Sequence, residues 1–187
     1  MSDPFGEVPV LPTVVSLGVV LFGLLLWRLH AKRRLSGPRA ALAALLSVYA
    51  AGIVSNTLFP IFLRPARGEG LWTPSVALIP FFDYEVEDAV TNVLVFLPLG
   101  MLIPLLLARP SWWKVLSAAV ATSLAIELAQ LAAQGLFAGG HVADVNDLIF
   151  NTVGGALGYG LFLLLARMRW SAPLVDRFRW TAPAQPS

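Results

Sequence analysis

Cysteine is absent from this chain of 187 residues, and histidine occurs only twice. A disulfide framework, a thiolate metal site and a cysteine nucleophile are therefore excluded, and there is no dense histidine cluster to hold a metal. Charge is also scarce: Asp, Glu, Lys and Arg make up 13% of the residues, whereas 57% are hydrophobic and the mean hydropathy is +0.75. That is too little polar surface to coat a soluble domain of this size, so the chain reads as an integral membrane protein. No internal repeat or low-complexity linker is evident, which removes the usual sequence support for a transporter built from inverted repeats. A basic region ahead of the first apolar stretch is missing too; the basic run follows it, which favours an uncleaved first helix with its N-terminus outside over a signal peptide.

What is present is five apolar stretches, near residues 13–29, 39–59, 89–108, 112–134 and 147–166, each about as long as the roughly 17 to 25 residues that cross a hydrocarbon core. They predict an all-α, polytopic transmembrane helix bundle. Residues 1–38 would form the first helix and a basic loop, 39–168 the main membrane domain, and 169–187 a disordered cytoplasmic tail. Arg28, Lys32, Arg33, Arg34, Arg39, Arg109, Lys114, Arg167, Arg169, Arg177 and Arg179 all fall on one side of these spans, leaving Arg64 and Arg67 on the other. The positive-inside rule then sets the N-terminus outside and the C-terminus inside. Basic runs of this kind anchor a juxtamembrane segment to anionic lipid, and no nucleic-acid partner is expected.

Most acidic residues map to the opposite side, among them Asp83, Glu85, Glu87, Asp88, Asp144 and Asp147, and Glu127 alone lies within a span. The run FFDYEVEDAV is read as a solvated acidic loop in which Asp88 caps the third span, in preference to a cation site. Residues 60–88 are expected to form a packed or interfacial loop with Trp72 at headgroup depth.

Glu127 raises the functional question, because a carboxylate inside a membrane is costly unless it faces protein or water. At helical spacing Ser123, Glu127, Gln130 and Gln134 fall on one sector of the fourth span. Ala118, Thr122, Ala125, Ala129 and Ala132 fall on another, nearly opposite. Both faces are expected to be covered by other spans, making the fourth helix central. In the fifth span Asp147, Asn151, Gly154 and Gly158 share a sector of about 60° with Asp144 at its edge. The Gly154–Gly158 GxxxG suits close docking of another helix, below a carboxylate and an amide. Asn92 enters at similar depth on the third span. One polar pocket holding Asn92, Glu127, Gln130, His141, Asp144, Asp147 and Asn151 is the resulting expectation.

The runs TNVLVFLPLGMLIP, IELAQ and HVADVNDLIFNTVGGALGYG resemble the VanZ-like proteins. That family pairs an Asn and Phe-x-Pro-x-Gly helix with a Glu-x-x-Gln helix and a final Asp-x-x-Asp-x-x-x-Asn-x-x-Gly segment. The matching positions are Asn92, Phe96, Pro98, Gly100, Pro104, Glu127, Gln130, Asp144, Asp147, Asn151, Gly154 and Gly158, with TLFP at 57–60 and LIPF at 78–81 also similar. The family often has an Arg three residues before the first Asp of its last motif, where this chain has His141. If that position contacts an anionic group, the contact here is weaker and pH-dependent, or the ligand is different. The resemblance implies a bacterial cell-membrane protein; the founding member is associated with low-level resistance to teicoplanin, a lipoglycopeptide that acts outside the cell, and the outward pocket expected from the charge distribution is on the correct side for such envelope chemistry.

Each residue also has a structural reading. Glu127 can tie helices together through Asn92 or Asn151, and Asp144 and Asp147 can be N-cap and first-turn residues of the fifth span. His141 can be a solvated turn residue. Three function classes follow. The first is a factor that binds a membrane lipid, a lipid-linked envelope precursor or a lipoglycopeptide and alters antibiotic susceptibility. The second is a membrane enzyme in which Glu127 donates a proton and Asp147 acts as base, or in which carboxylates with His141 hold a divalent cation. The third is a small proton-coupled carrier. Binding ranks first, and neither a resident metal nor a cofactor is expected.

Overall fold

The computed structural model describes residues 7–61, 76–81, 85–136 and 143–181. Its order is α1 (Val10–Ala31), α2 (Gly37–Leu58), β1 (Val76–Ala77), α3 (Val86–Leu106), α4 (Trp112–Leu136), β2 (Ala143–Asp144), α5 (Val145–Arg167) and α6 (Ala172–Phe178). Helices α1 to α5 are each long and apolar enough to cross a membrane, and each contains the corresponding stretch expected from hydropathy or departs from it by one or two residues. Strands β1 and β2 pair in parallel, Val76 with Ala143 and Ala77 with Asp144.

Local chemistry explains the helix boundaries. Extended Ser36 precedes α2, whose first turn contains Pro38, a position where the missing N–H costs nothing. Glu87 and Asp88 occupy the first turn of α3, where negative charge is favoured by the helix dipole. Asp144 is the N-cap of α5, its side chain accepting from the Asn146 N–H. Within α3, Pro98 and Pro104 cannot donate to the carbonyls one turn earlier. Beside them the Tyr49 hydroxyl donates to the Val95 carbonyl at 2.8 Å, tying α2 to this part of α3.

In lipid there is little hydrophobic force between helices, so association rests on close packing and interhelical hydrogen bonds. Helices α3 and α5 use glycine for this. A Cβ at Gly154 would collide with the backbone of Val93, one at Gly158 with the Leu97 carbonyl and Gly100, and one at Gly100 with the backbone of Gly155 and Tyr159. The GxxxG expected to dock on a neighbour therefore docks on α3, and Gly155 packs against Ala119 of α4. Many large apolar side chains point outward, including Val19 and Trp27 on α1, Val48 on α2, Leu124 and Leu128 on α4, and Leu157 and Leu164 on α5, as a lipid environment requires.

Two packing expectations need correction. The buried stripe of α4 is Val115, Ala119, Ser123, Glu127 and Gln130, whereas Ala125 and Ala132 on the small-residue face are exposed. One face of α4 is covered, not both, because α5 takes the central place with its glycine face against α3 and Ala119 against Gly155. The segment after Trp170 is also ordered as far as Thr181, where a disordered tail was expected. Helix α6 forms, the Trp180 N–H donates to the Leu105 carbonyl at 2.9 Å, and Arg39 and Arg34 donate to the carbonyls of Arg179 and Trp180. These long-range partners hold a segment whose composition alone looks like coil.

Candidate functional site

The C-terminal end of α2, the N-terminal half of α3, the C-terminal half of α4 and the N-terminal turns of α5 surround a pocket of about 420 Å³. It lies at the end of the bundle opposite the basic loops, and its lining is mainly polar. Asn56, Asp88 and Thr91 form an exposed rim, Asn92, Asp144 and Asp147 are half-buried, and Glu127, Gln130, Asn151 and Phe96 are buried. Thus six of the seven residues expected to converge do so: Asn92, Glu127, Gln130, Asp144, Asp147 and Asn151. His141 lies outside the described residues, as do Trp72, Arg64, Arg67 and the side chain of Gln134.

Hydrogen bonds fix most of these groups across helices. The Asn92 amide donates to Asp147 Oδ1 at 2.6 Å, linking α3 to α5. Glu127 Oε2 accepts from the Asp144 backbone N–H at 3.0 Å, so the intramembrane carboxylate holds the start of α5. The structural alternative for Glu127, a tie to Asn92 or Asn151, takes another form, since those amides donate to Asp147 and to Ser123 Oγ, the latter at 2.9 Å. Proximity along the helix axis is correct in each case; the partner is set by which side of α5 faces which neighbour.

Asn146 is the principal residue that sequence reasoning did not single out. It is completely buried, its backbone N–H and side-chain amide both donate to Asp144 Oδ1, and its Oδ1 accepts from the Phe81 N–H at 2.8 Å. Phe81 packs its ring edge-on to Phe150 at 6.3 Å. Asn146 therefore couples the segment ahead of α3 to the N-cap of α5, beside the β1–β2 pair. The available signal was its place two residues after an N-capping Asp, where an Asx-type turn recruits a further polar group. Asn56, Thr57 and Thr91 also line the pocket; their adjacency to TLFP and to Asn92 was the signal for them.

Two buried acceptors in the pocket wall lack a partner. Gln130 is 7% exposed; its Nε2 reaches the Thr57 carbonyl at 3.4 Å, and its Oε1 makes no hydrogen bond. Asn151 is 4% exposed and its Oδ1 is also unpartnered. Such groups cost about 1–3 kcal/mol each when left unsatisfied, and both oxygens are shut off from solvent by the surrounding helices. Among the described residues no three of His, Asp and Glu gather closely enough to hold a metal.

The arrangement can present several carboxylate and amide oxygens to a group entering from the bundle end. Asp144 is engaged as a cap, Asp147 with Asn92, and Glu127 with the α5 backbone. Their positions are set before any ligand arrives. The VanZ/LLP1 family model matches residues 46–166, more than half of the chain, and the chain belongs to that family. No curated protein and no solved structure matches it.

Proposed function

We propose that this multi-pass membrane protein of the VanZ/LLP1 family binds the headgroup of a lipid, glycolipid or lipoglycopeptide in the polar pocket, and so alters susceptibility to teicoplanin-type envelope antibiotics. The observation that carries the reading is the preformed, mainly polar cavity itself, where Asn92, Glu127, Gln130, Asp144, Asp147 and Asn151 converge at one end of the bundle. A cavity of this size takes a headgroup while acyl chains remain among the lipid-facing side chains. The preset hydrogen bonds of Asp144, Asp147 and Glu127 favour binding over acid–base catalysis, because each carboxylate already serves to hold a helix end or a helix pair.

The pocket faces the outside of a bacterial cell membrane in this reading. Support comes from the basic residues, which gather in the α1–α2 and α3–α4 connections and after α5, at the opposite end. Reporter fusions at Ser36, Gly70 and Gly140 should read inside, outside and outside; any reversal would rule out the orientation. Function is tested by antibiotic susceptibility in cells expressing wild type, Glu127→Gln and Glu127→Ala at matched membrane abundance. Glu127→Gln keeps an acceptor for the Asp144 N–H and should retain the teicoplanin phenotype at least in part, whereas Glu127→Ala should lose it. Full activity of the Ala variant would remove the pocket from the account.

A further inference from the structure

Residues 76–81, with the sequence VALIPF, carry no charged or hydrogen-bonding side chain, yet they are not folded into the core. Leu78, Ile79 and Phe81 are 73%, 65% and 70% exposed. Their backbone is nevertheless fixed. Val76 and Ala77 pair with Ala143 and Asp144, and the Phe81 N–H donates to Asn146 Oδ1 at 2.8 Å. Phe81 has φ 61°, in the left-handed region that an aromatic residue enters only when its surroundings impose it. The fold thus presents these apolar side chains in a set position.

Depth and continuity identify what meets them. Asn146 is the second residue of α5, and Phe150, against which the Phe81 ring packs edge-on, lies five residues after Val145, or about 7 Å along the helix axis. The ring therefore lies beside the first turns of a spanning helix, not beyond its end. On α5 the face of Phe150 continues into the exposed Val153 and Leu157, and on α3 Val86, Val90 and Leu94 form a second exposed apolar stripe at one-turn spacing. From this continuity with the lipid-facing belt we infer that Leu78, Ile79 and Phe81 insert into the acyl region of the leaflet on the pocket side, with their backbone at the headgroup boundary. Irregular backbone is excluded from the hydrocarbon itself. The segment respects that limit, because Val76 and Ala77 are strand-paired, Pro80 has no N–H and the Phe81 N–H is bonded to Asn146. Since Asn146 also donates to Asp144 Oδ1, the inserted segment holds the N-cap of α5 at the membrane surface.

The chain has no cysteine, so single spin labels report on single positions. Full-length protein carrying Leu78→Cys or Ile79→Cys is labelled and reconstituted in bilayers of phosphatidylcholine and phosphatidylglycerol. Leu157→Cys on the lipid-facing side of α5 and Glu87→Cys in the exposed first turn of α3 serve as references. Labels at 78 and 79 should be relaxed more by oxygen, which concentrates among acyl chains, than by a water-soluble nickel chelate, as at 157 and opposite to 87. Stronger relaxation by the nickel chelate at both sites would place the segment in water, and shielding from both agents would mean that protein, this chain or a second copy, covers it; either result overturns the inference. A double variant, Leu78→Asp with Ile79→Asp, gives a second measurement. Hydrogen exchange at Phe81 and in the first turn of α5 should quicken in bilayers, because carboxylates are rejected by the acyl region. Unchanged exchange would mean that the membrane does not hold the segment, and the inference fails. Neither readout depends on which side of the membrane the pocket faces or on what it binds.

Discussion

The two ends of the α3–α4–α5 bundle share the same helices and the same glycine seam but are finished differently. At the basic end the protein supplies its own filling. Val115, Tyr159 and Phe162 form a buried cluster, with Val175 of α6 and Leu105 packed on it, Trp112 edge-on to Tyr159 at 4.8 Å, and Arg179 over the Phe162 ring. Arg179 and Trp180 close over this end through Arg39, Arg34 and the Leu105 carbonyl. At the other end the helices enclose a polar pocket; buried polar atoms without a partner occur at both ends, Gln130 Oε1 and Asn151 Oδ1 beside the pocket and Trp180 Nε1 and Thr181 Oγ1 at the basic end. A gap between helix ends is therefore not an unavoidable product of this packing. Where the chain fills one end with aromatic side chains and lines the other with carboxylates and amides, the unfilled end is the one suited to a ligand.

The shared seam should give the largest effect. Gly158→Ala places a methyl group against the Leu97 carbonyl and Gly100 and should destabilise the protein by about 3 kcal/mol in detergent thermal denaturation. The same change at Gly23, which has open space around its would-be Cβ, should be neutral or stabilising by up to about 1 kcal/mol. Equal effects at the two sites would show that the α3–α5 contact does not organise the bundle.

Next in size, Asn146→Ala leaves the Phe81 N–H without its acceptor and removes an amide contact to the α5 cap. A loss of about 2 kcal/mol is expected, accompanied by faster hydrogen exchange at Phe81 and at the start of α5. Unchanged exchange there would show that Asn146 does not join these segments. Arg39→Ala should have the smallest effect, about 1 kcal/mol, because its contacts to the Arg179 and Arg34 carbonyls are only partly shielded from water. Limited proteolysis should nick that variant near Thr181 sooner than wild type, with the pocket's ligand affinity unaltered. A matching fall in affinity would mean that the two ends are coupled and the contrast between them is too simple.

Much of this arrangement is legible in the sequence because a membrane imposes strong rules. The spans stand out as apolar runs of the required length, and isolated polar residues such as Glu127 and Asn151 are conspicuous within them. Helical spacing also placed Gly154 and Gly158 on a close-packing face. Which helix meets that face depends on rotation about the axis, and α3 is identified by Val93, Leu97 and Gly100 lying against Gly154 and Gly158. The small face of α4 misled for the same reason: alanine permits close approach but does not require it. Residues 171–181 were misread because their order comes from Arg34, Arg39 and Leu105, all distant in the chain. Asn146 was overlooked because burial, not residue type, gives it importance.

The most direct test of the pocket's role is teicoplanin growth inhibition in cells expressing wild type, Gln130→Met or Gly52→Leu at matched membrane abundance. Gln130→Met removes the unpartnered acceptor at similar length, while Gly52→Leu alters the apolar groove between α1 and α2 at a site with free space. The account predicts that wild type and Gly52→Leu shift the inhibitory concentration alike and that Gln130→Met does not. It would be contradicted if the wild type produced no shift, if Gln130→Met acted like the wild type, or if only Gly52→Leu failed.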